Sequence, residues 1–220
     1  MFNPDMVRLL AQGIWETLYM TIVSALLAYV LGLPLGLLLV VTDKNGICPM
    51  GFFNRLLGFV VNFVRSVPFL ILLIAVIPFT RFLVGTSVGS TATIVPLVLA
   101  SAPFVARMVE ASLKEVDHGV IEAAQSMGAS PWQIVTKVLL PEARPSLILN
   151  AAIATTTILG YSAMSGFVGG GGLGTISINY GFYRYQSDVM LVTVLLLVVI
   201  VQVFQEIGMR IAAKGDKRSH

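Results

Sequence analysis

The sequence predicts an all-α integral membrane protein of about five transmembrane helices, and three observations carry that reading. Of 220 residues, 56% are hydrophobic and only 11% are Asp, Glu, Lys or Arg, against about 25% charged in soluble domains. A compact chain of this size has too little interior to hide so much apolar surface from water. Several windows are long and apolar enough to cross hydrocarbon as helices, and the Lys and Arg residues between them fall unevenly on alternate sides.

The windows run from Trp15 to Val41, Leu57 to Thr80, Thr91 to Glu110, Leu147 to Val168 and Val189 to Ile211. Pro34 stands between Gly32 and Gly36, Pro68 and Pro78 interrupt the second window, and Pro96 and Pro103 interrupt the third. Kinks and close backbone approach are therefore expected. The Gly32 to Gly36 spacing permits tight helix pairing, although glycine and proline are in any case commoner in membrane helices than in soluble ones. The opening stretch has polar and acidic residues where a signal peptide would carry a basic end and an apolar core, so the N-terminus is expected to be retained.

Orientation follows from basic residues, which resist translocation. Lys44 and Arg55 lie in the first connection, Lys114, Lys137 and Arg144 in the third, and Lys214, Lys217 and Arg218 in the tail, whereas the other side holds Arg8, Arg81 and Arg184. The N-terminus is expected outside and the C-terminus inside. Arg65, Arg107 and Arg210 sit inside or near helix ends, where they can snorkel.

Composition excludes several functions. The net charge of +3 comes from basic residues scattered singly, which is no footprint for nucleic acid. Cys48 has no partner for a disulfide, and His118 and His220 lie outside every apolar run, so no intramembrane histidine or metal site can be built. No histidine reaches a serine within the membrane and no aspartates face each other there, which leaves an intramembrane enzyme without its groups. Glu16, Glu110 and Glu206 lie toward span ends and Asp188 precedes the fifth span, so no mid-membrane carboxylate offers proton or sodium coupling. Gly169, Gly171 and Gly174 match G-x-G-x-x-G, but without a preceding strand or a following acid the run is expected to be a close-packed outer turn.

The long polar connection, residues 111–146, is expected to be structured. Asp117 can cap a first short helix that Gly128 ends. Ser130, Pro131 and Gln133 supply a cap, a first-turn proline and a capping-box partner for a second, which Pro141 is expected to close. By composition the element could lie on the membrane surface or fit a partner's groove. Glu122, Ala123 and Ala124, then Gly128, then Val138, Leu140 and Pro141 resemble the EAA motif of ABC importer permeases, with valine where the motif has isoleucine. Most of the chain is similar to methionine-uptake permeases of the MetI type: GIWETL at Gly13 to Leu18, RSVPF at Arg65 to Phe69, PFTRFLVGTS at Pro78 to Ser87, APFVARMVE at Ala102 to Glu110 and GYSAMSGFVGGGGLG at Gly160 to Gly174.

That resemblance implies the ABC importer type I permease fold over residues 1–220 as one transmembrane domain, in the bacterial cytoplasmic membrane. It further implies a homodimer, two cytoplasmic ATP-binding subunits docked on residues 111–146, and a periplasmic methionine-binding lipoprotein; the chain itself is expected to be non-catalytic and to need no cofactor. The alternatives are a permease for another amino acid and a passive channel. The fourth window is polar for a lipid-facing helix, with Asn150, Thr155, Thr156, Thr157, Tyr161, Ser162, Met164 and Ser165. Tyr161 and Met164, three apart, share a helix face; they are expected either to gate a pathway near the outer end or to serve ordinary helix packing.

Overall fold

The computed structural model describes residues 4–215, with side chains through Ala213. The tail cations Lys214, Lys217 and Arg218, and His220, lie outside the described side chains. Among the described residues every regular element is helical: α1 Pro4–Val41, α2 Gly51–Ser66, α3 Phe69–Ala75, α4 Ile77–Val84, α5 Ser90–Lys114, α6 His118–Ser126, α7 Pro131–Ile134, α8 Leu140–Glu142, α9 Arg144–Met164, α10 Gly172–Ile176 and α11 Ser187–Gly215, joined in places by π or 3-10 turns.

Four stretches are long and apolar enough to span a membrane, Pro4–Val41, Ser90–Lys114, Arg144–Val168 and Ser187–Ala213; α2 and α3 make a fifth if that bent pair counts as one. The second window, Leu57 to Thr80, is broken at Pro68, one of the prolines at which a kink is expected. Pro68 adopts φ −57° and ψ 134° before α3, an extended conformation that ends a helix, and it has no N–H with which to continue one. The first helix starts eleven residues earlier than the apolar pattern suggests. Pro4 and Asp5 make a favourable first turn, and the polar residues that spoil the hydropathy there do not spoil the helix.

The chain divides into two compact units. The first contains Met1–Ala28, Val67–Ser101 and Thr155–Gln205, and the second Tyr29–Ser66, Ala102–Ala154 and Glu206–His220, so the chain passes from one unit to the other five times. In the first unit Leu10, Leu173, Ile176 and Val189 form a buried cluster. There Glu16 accepts a hydrogen bond from the Gly172 N–H at 2.7 Å and Thr17 accepts one from the Leu173 N–H at 2.9 Å. The glycine run is a tight turn, as expected: Gly169, Gly171 and Gly172 all have positive φ, which only glycine adopts cheaply.

In the second unit α1 packs on α5 through glycines. A β-carbon on Gly32 would lie 2.7 Å from both the Ala102 carbonyl oxygen and Val105, and one on Gly36 would lie 2.6 Å from the Ala106 carbonyl oxygen. The Gly32/Gly36 pair therefore serves close packing within the chain. Arg107 does not snorkel freely: it pairs with Glu110 and donates to the Gly58 carbonyl at 3.1 Å. Large apolar side chains remain exposed along the helices, among them Val30, Leu31, Phe59, Phe63, Leu195 and Val199, which is the surface a bilayer covers and water does not.

Candidate functional site

The connection between α5 and α9 folds as its punctuation predicts for most of its length. Asp117 caps α6 by accepting the Gly119 N–H at 2.7 Å. Gly128 follows with φ 79°, the left-handed residue that lets the chain leave the helix. Ser130 and Gln133 complete both arms of a capping box, Ser130 N–H to Gln133 Oε1 at 2.8 Å and Gln133 N–H to Ser130 Oγ at 3.3 Å. Pro141 does not close the helix. A π turn, Val135–Leu139, carries the chain into α8, with the Leu140 N–H donating to the Val135 carbonyl. The wider turn accommodates a proline whose ring would collide with the carbonyl four residues back in a regular α-helix.

The motif residues divide by face. Glu122 and Ala123 are exposed, whereas Ala124 is buried against the rest of its unit. Val138 and Leu140 are half-buried and Pro141 is exposed, and between them Leu139 is fully buried. Ala124 and Leu139 thus root the two helices, leaving Glu122, Gln125, Ser126 and Met127 directed outward. Glu122 lies 3.2 Å from His118 Nδ1, and His118 Nε2 lies 3.4 Å from the Asn45 carbonyl oxygen. A cavity of about 640 Å³ opens between α6, the end of α5 and the turn after α1, lined by Asp43, Asn45, Lys114, His118, Glu122 and Gln125 among others.

Sequence reasoning missed the ionic root of this element. Lys114 Nζ bridges Glu110 Oε1 at 2.9 Å and Asp43 Oδ2 at 3.0 Å. The Lys114 ammonium, then the Lys44 backbone N–H, hold the Asp43 carboxyl below its usual range by stabilising its charged form. The four-residue spacing of Glu110 and Lys114 was a visible signal; the meeting with Asp43 was not.

In the first unit the structure gives Tyr161 an aromatic partner. Its ring stacks on Phe69 with centroids 4.5 Å apart and planes 8° from parallel, an arrangement worth about 0.5–1.5 kcal/mol beyond burial. Met164 is exposed on the chain. Phe69 follows the Pro68 break directly, so the feature that interrupts the second window also delivers this ring.

Helical spans of this number, with a doubly capped internal loop, suit the membrane subunit of a transport system, and a family match gives that class. Residues 32–212 match the family model described as binding-protein-dependent transport system inner membrane component, and the chain belongs to that family. It is a multi-pass inner-membrane permease with the type I importer fold. It is 50% identical over 210 residues, 96% of this chain and 93% of the other, to a Vibrio cholerae protein named "Probable D-methionine transport system permease protein MetI". The D-methionine transport system permease protein MetI of Escherichia coli K12 is 52% identical over 164 residues, 74% of this chain and 76% of that one. A chain of the solved inward-facing MetNI methionine ABC transporter superposes with TM-score 0.96 at 49% identity, covering 98% of this chain and 100% of that one. A chain of an amino acid ABC transporter solved with histidines shares the fold alone, at TM-score 0.78 and 19% identity.

Proposed function

We propose that this chain is the methionine-conducting permease subunit of an ATP-driven importer, working as a homodimer with two cytoplasmic ATP-binding subunits and a periplasmic methionine-binding lipoprotein. The observation that carries the reading is the capped helix pair of residues 117–142 in a chain half identical along nearly its whole length to a permease named for D-methionine transport. A passive pore has no use for so rigid a cytoplasmic element.

On this reading the N-terminus is outside. Lys44, Arg55, Lys114, Lys137 and Arg144 lie in or beside the connections after α1 and after α5, against Arg8, Arg81 and Arg184 toward the other ends of the spans, so those two connections are the cytoplasmic ones. Glu122, Ala123, Ala124, Gly128, Val138, Leu140 and Pro141 form the coupling element. Ala124 roots it, Gly128 lets the two helices turn against each other, and Glu122 presents an anionic contact to an ATP-binding subunit. Motion of that subunit is passed through Leu139 and the Lys114 bridges to α5 and α9. Tyr161 and Met164 gate the outer part of the pathway, with the Phe69 stack holding Tyr161 in place and Met164 free to close against a second copy.

The test is reconstitution with ATP-binding subunits and a methionine-binding lipoprotein. Methionine with the lipoprotein should accelerate ATP hydrolysis and drive uptake into proteoliposomes. Uptake that follows a gradient without ATP would make the chain a channel; stimulation by a different amino acid alone would change the substrate and keep the class. Tyr161→Ala with Met164→Ala should raise ATP hydrolysis without substrate, and an unchanged basal rate would return both residues to packing.

A further inference from the structure

An apolar groove of about 410 Å³ opens on the second unit, walled by Pro34, Leu37, Leu38 and Val41 of α1 and by Pro131 and Trp132 at the start of α7. We propose that this groove holds one acyl chain of a cytoplasmic-leaflet phospholipid, with the Trp132 indole lying at the level of the headgroups. The choice of leaflet rests on the orientation proposed above.

Depth supports this occupant. In α1 the sequence from Leu18 to Val41 is uncharged and, apart from Thr21 and Ser24, apolar or weakly polar, and it ends at Thr42, Asp43 and Lys44. The groove uses its last two turns, and at about 1.5 Å per residue it therefore lies within roughly 10 Å of the inner edge of the span. Continuity supports it too. Val30, Leu31, Pro34 and Leu38 form an exposed stripe on one face of α1, while Gly32, Gly36 and Leu39 on the other face are buried. The surface that lipid must cover along the span thus leads directly into the groove.

Chemistry narrows the choice further. No wall residue is ionisable and the indole N–H is the one side-chain donor, so a polar or charged occupant would lose its hydrogen bonds to water without replacement. A hydrocarbon tail has none to lose. Trp132 is 74% exposed and stands in the first turn of α7, whose start is fixed by Pro131 and the Ser130–Gln133 capping box. An amphipathic ring fixed beside the end of a span is the arrangement that anchors at a membrane interface, with its apolar body in the acyl region and its N–H toward the headgroups.

The chain has two tryptophans, Trp15 and Trp132, which makes the test direct. The full chain with its ATP-binding subunits is reconstituted as Trp15→Phe, and the Trp132 emission is taken as the difference from Trp15→Phe/Trp132→Phe. Phospholipids brominated near the headgroup should remove most of that emission, those brominated near the chain end less, and aqueous iodide little. Native mass spectrometry should find phospholipid retained through detergent exchange by the parent and lost from Leu37→Phe/Leu38→Phe, which fills the groove. Quenching by iodide and not by bromolipid would overturn the proposal, as would protection from iodide that is lost when the chain is reconstituted without ATP-binding subunits, or unchanged lipid retention in the filled variant. ATP-driven uptake measured on the same vesicles separates the two readings, since a chain that transports with an unquenched Trp132 sinks the lipid site alone.

Discussion

Gly36 shows how much a single missing side chain decides. Its absent β-carbon lets α1 lie against Val109 and the Ala106 carbonyl, so Gly36→Leu should destabilise by about 1–3 kcal/mol through overpacking, read as a lower melting temperature in detergent. Gly58→Ala is the control, because the nearest atom a β-carbon would meet is Arg107 Nη2 at 3.4 Å, an ordinary van der Waals distance. Asp43 gives a pH prediction with a definite sign. Its carboxyl titrates lower in the folded chain than in the unfolded one, so the Lys114 bridge stabilises above the ordinary carboxylate range of about 4 and is lost as pH falls through the depressed value. Asp43→Asn should remove that part of the acid dependence of the melting temperature. The loss at neutral pH should stay below about 1 kcal/mol, because both partners are substantially exposed and solvent screens them.

At the scale of the element, the coupling pair was largely legible in sequence, because caps are local chemistry: Asp117, Gly128, Ser130 and Gln133 each act within three residues of themselves. Helical spacing puts Val120, Ile121, Ala124 and Met127 on one apolar face of α6, and Ala124 is indeed buried and Ile121 half-buried. That Val120 and Met127 stay exposed could not be read, because it depends on where the rest of the unit packs. The helix passing through Pro141 was equally hidden, since a π turn leaves no distinctive residue behind. Two experiments belong here. Ser126→Cys, in a chain lacking Cys48, should crosslink to a cysteine on the ATP-binding subunit, whereas Ala124→Leu should weaken that contact by displacing the helix from its seat. Gly128→Val forces a β-branched residue to φ 79°, a strain of about 1–3 kcal/mol, and should lower substrate-stimulated ATP hydrolysis more than it lowers basal hydrolysis.

For the molecule as a whole, hydropathy gave the number and order of spans closely and their ends poorly. Windows of apolar residues report where lipid is, and helices continue beyond it: α1 extends to Pro4 through Asp5, Arg8, Gln12 and Glu16, and α5 to Lys114. Pro68 announces an interruption, but apolar sequence continues on both sides of it, so hydropathy does not tell a kink from a full break. The aromatic stack of Tyr161 on Phe69 joins residues far apart in sequence, and no periodicity announces such a meeting. Orientation is open to a direct check. In intact cells an impermeant thiol reagent should label Tyr185→Cys and leave Ser126→Cys unlabelled until the membrane is opened; the reverse pattern would invert the topology and remove the coupling element from the cytosol.

The uncharged run of α1, 24 residues from Leu18 to Val41, is about 36 Å long and exceeds a hydrocarbon layer of about 30 Å. Such a rod fits by leaning, and a thicker membrane asks it to stand straighter. Because Gly32 and Gly36 lock it to α5, neither can change its lean alone. Membrane thickness, varied through lipid chain length, is therefore a mechanical variable acting on the same helix that ends at the Lys114 bridges.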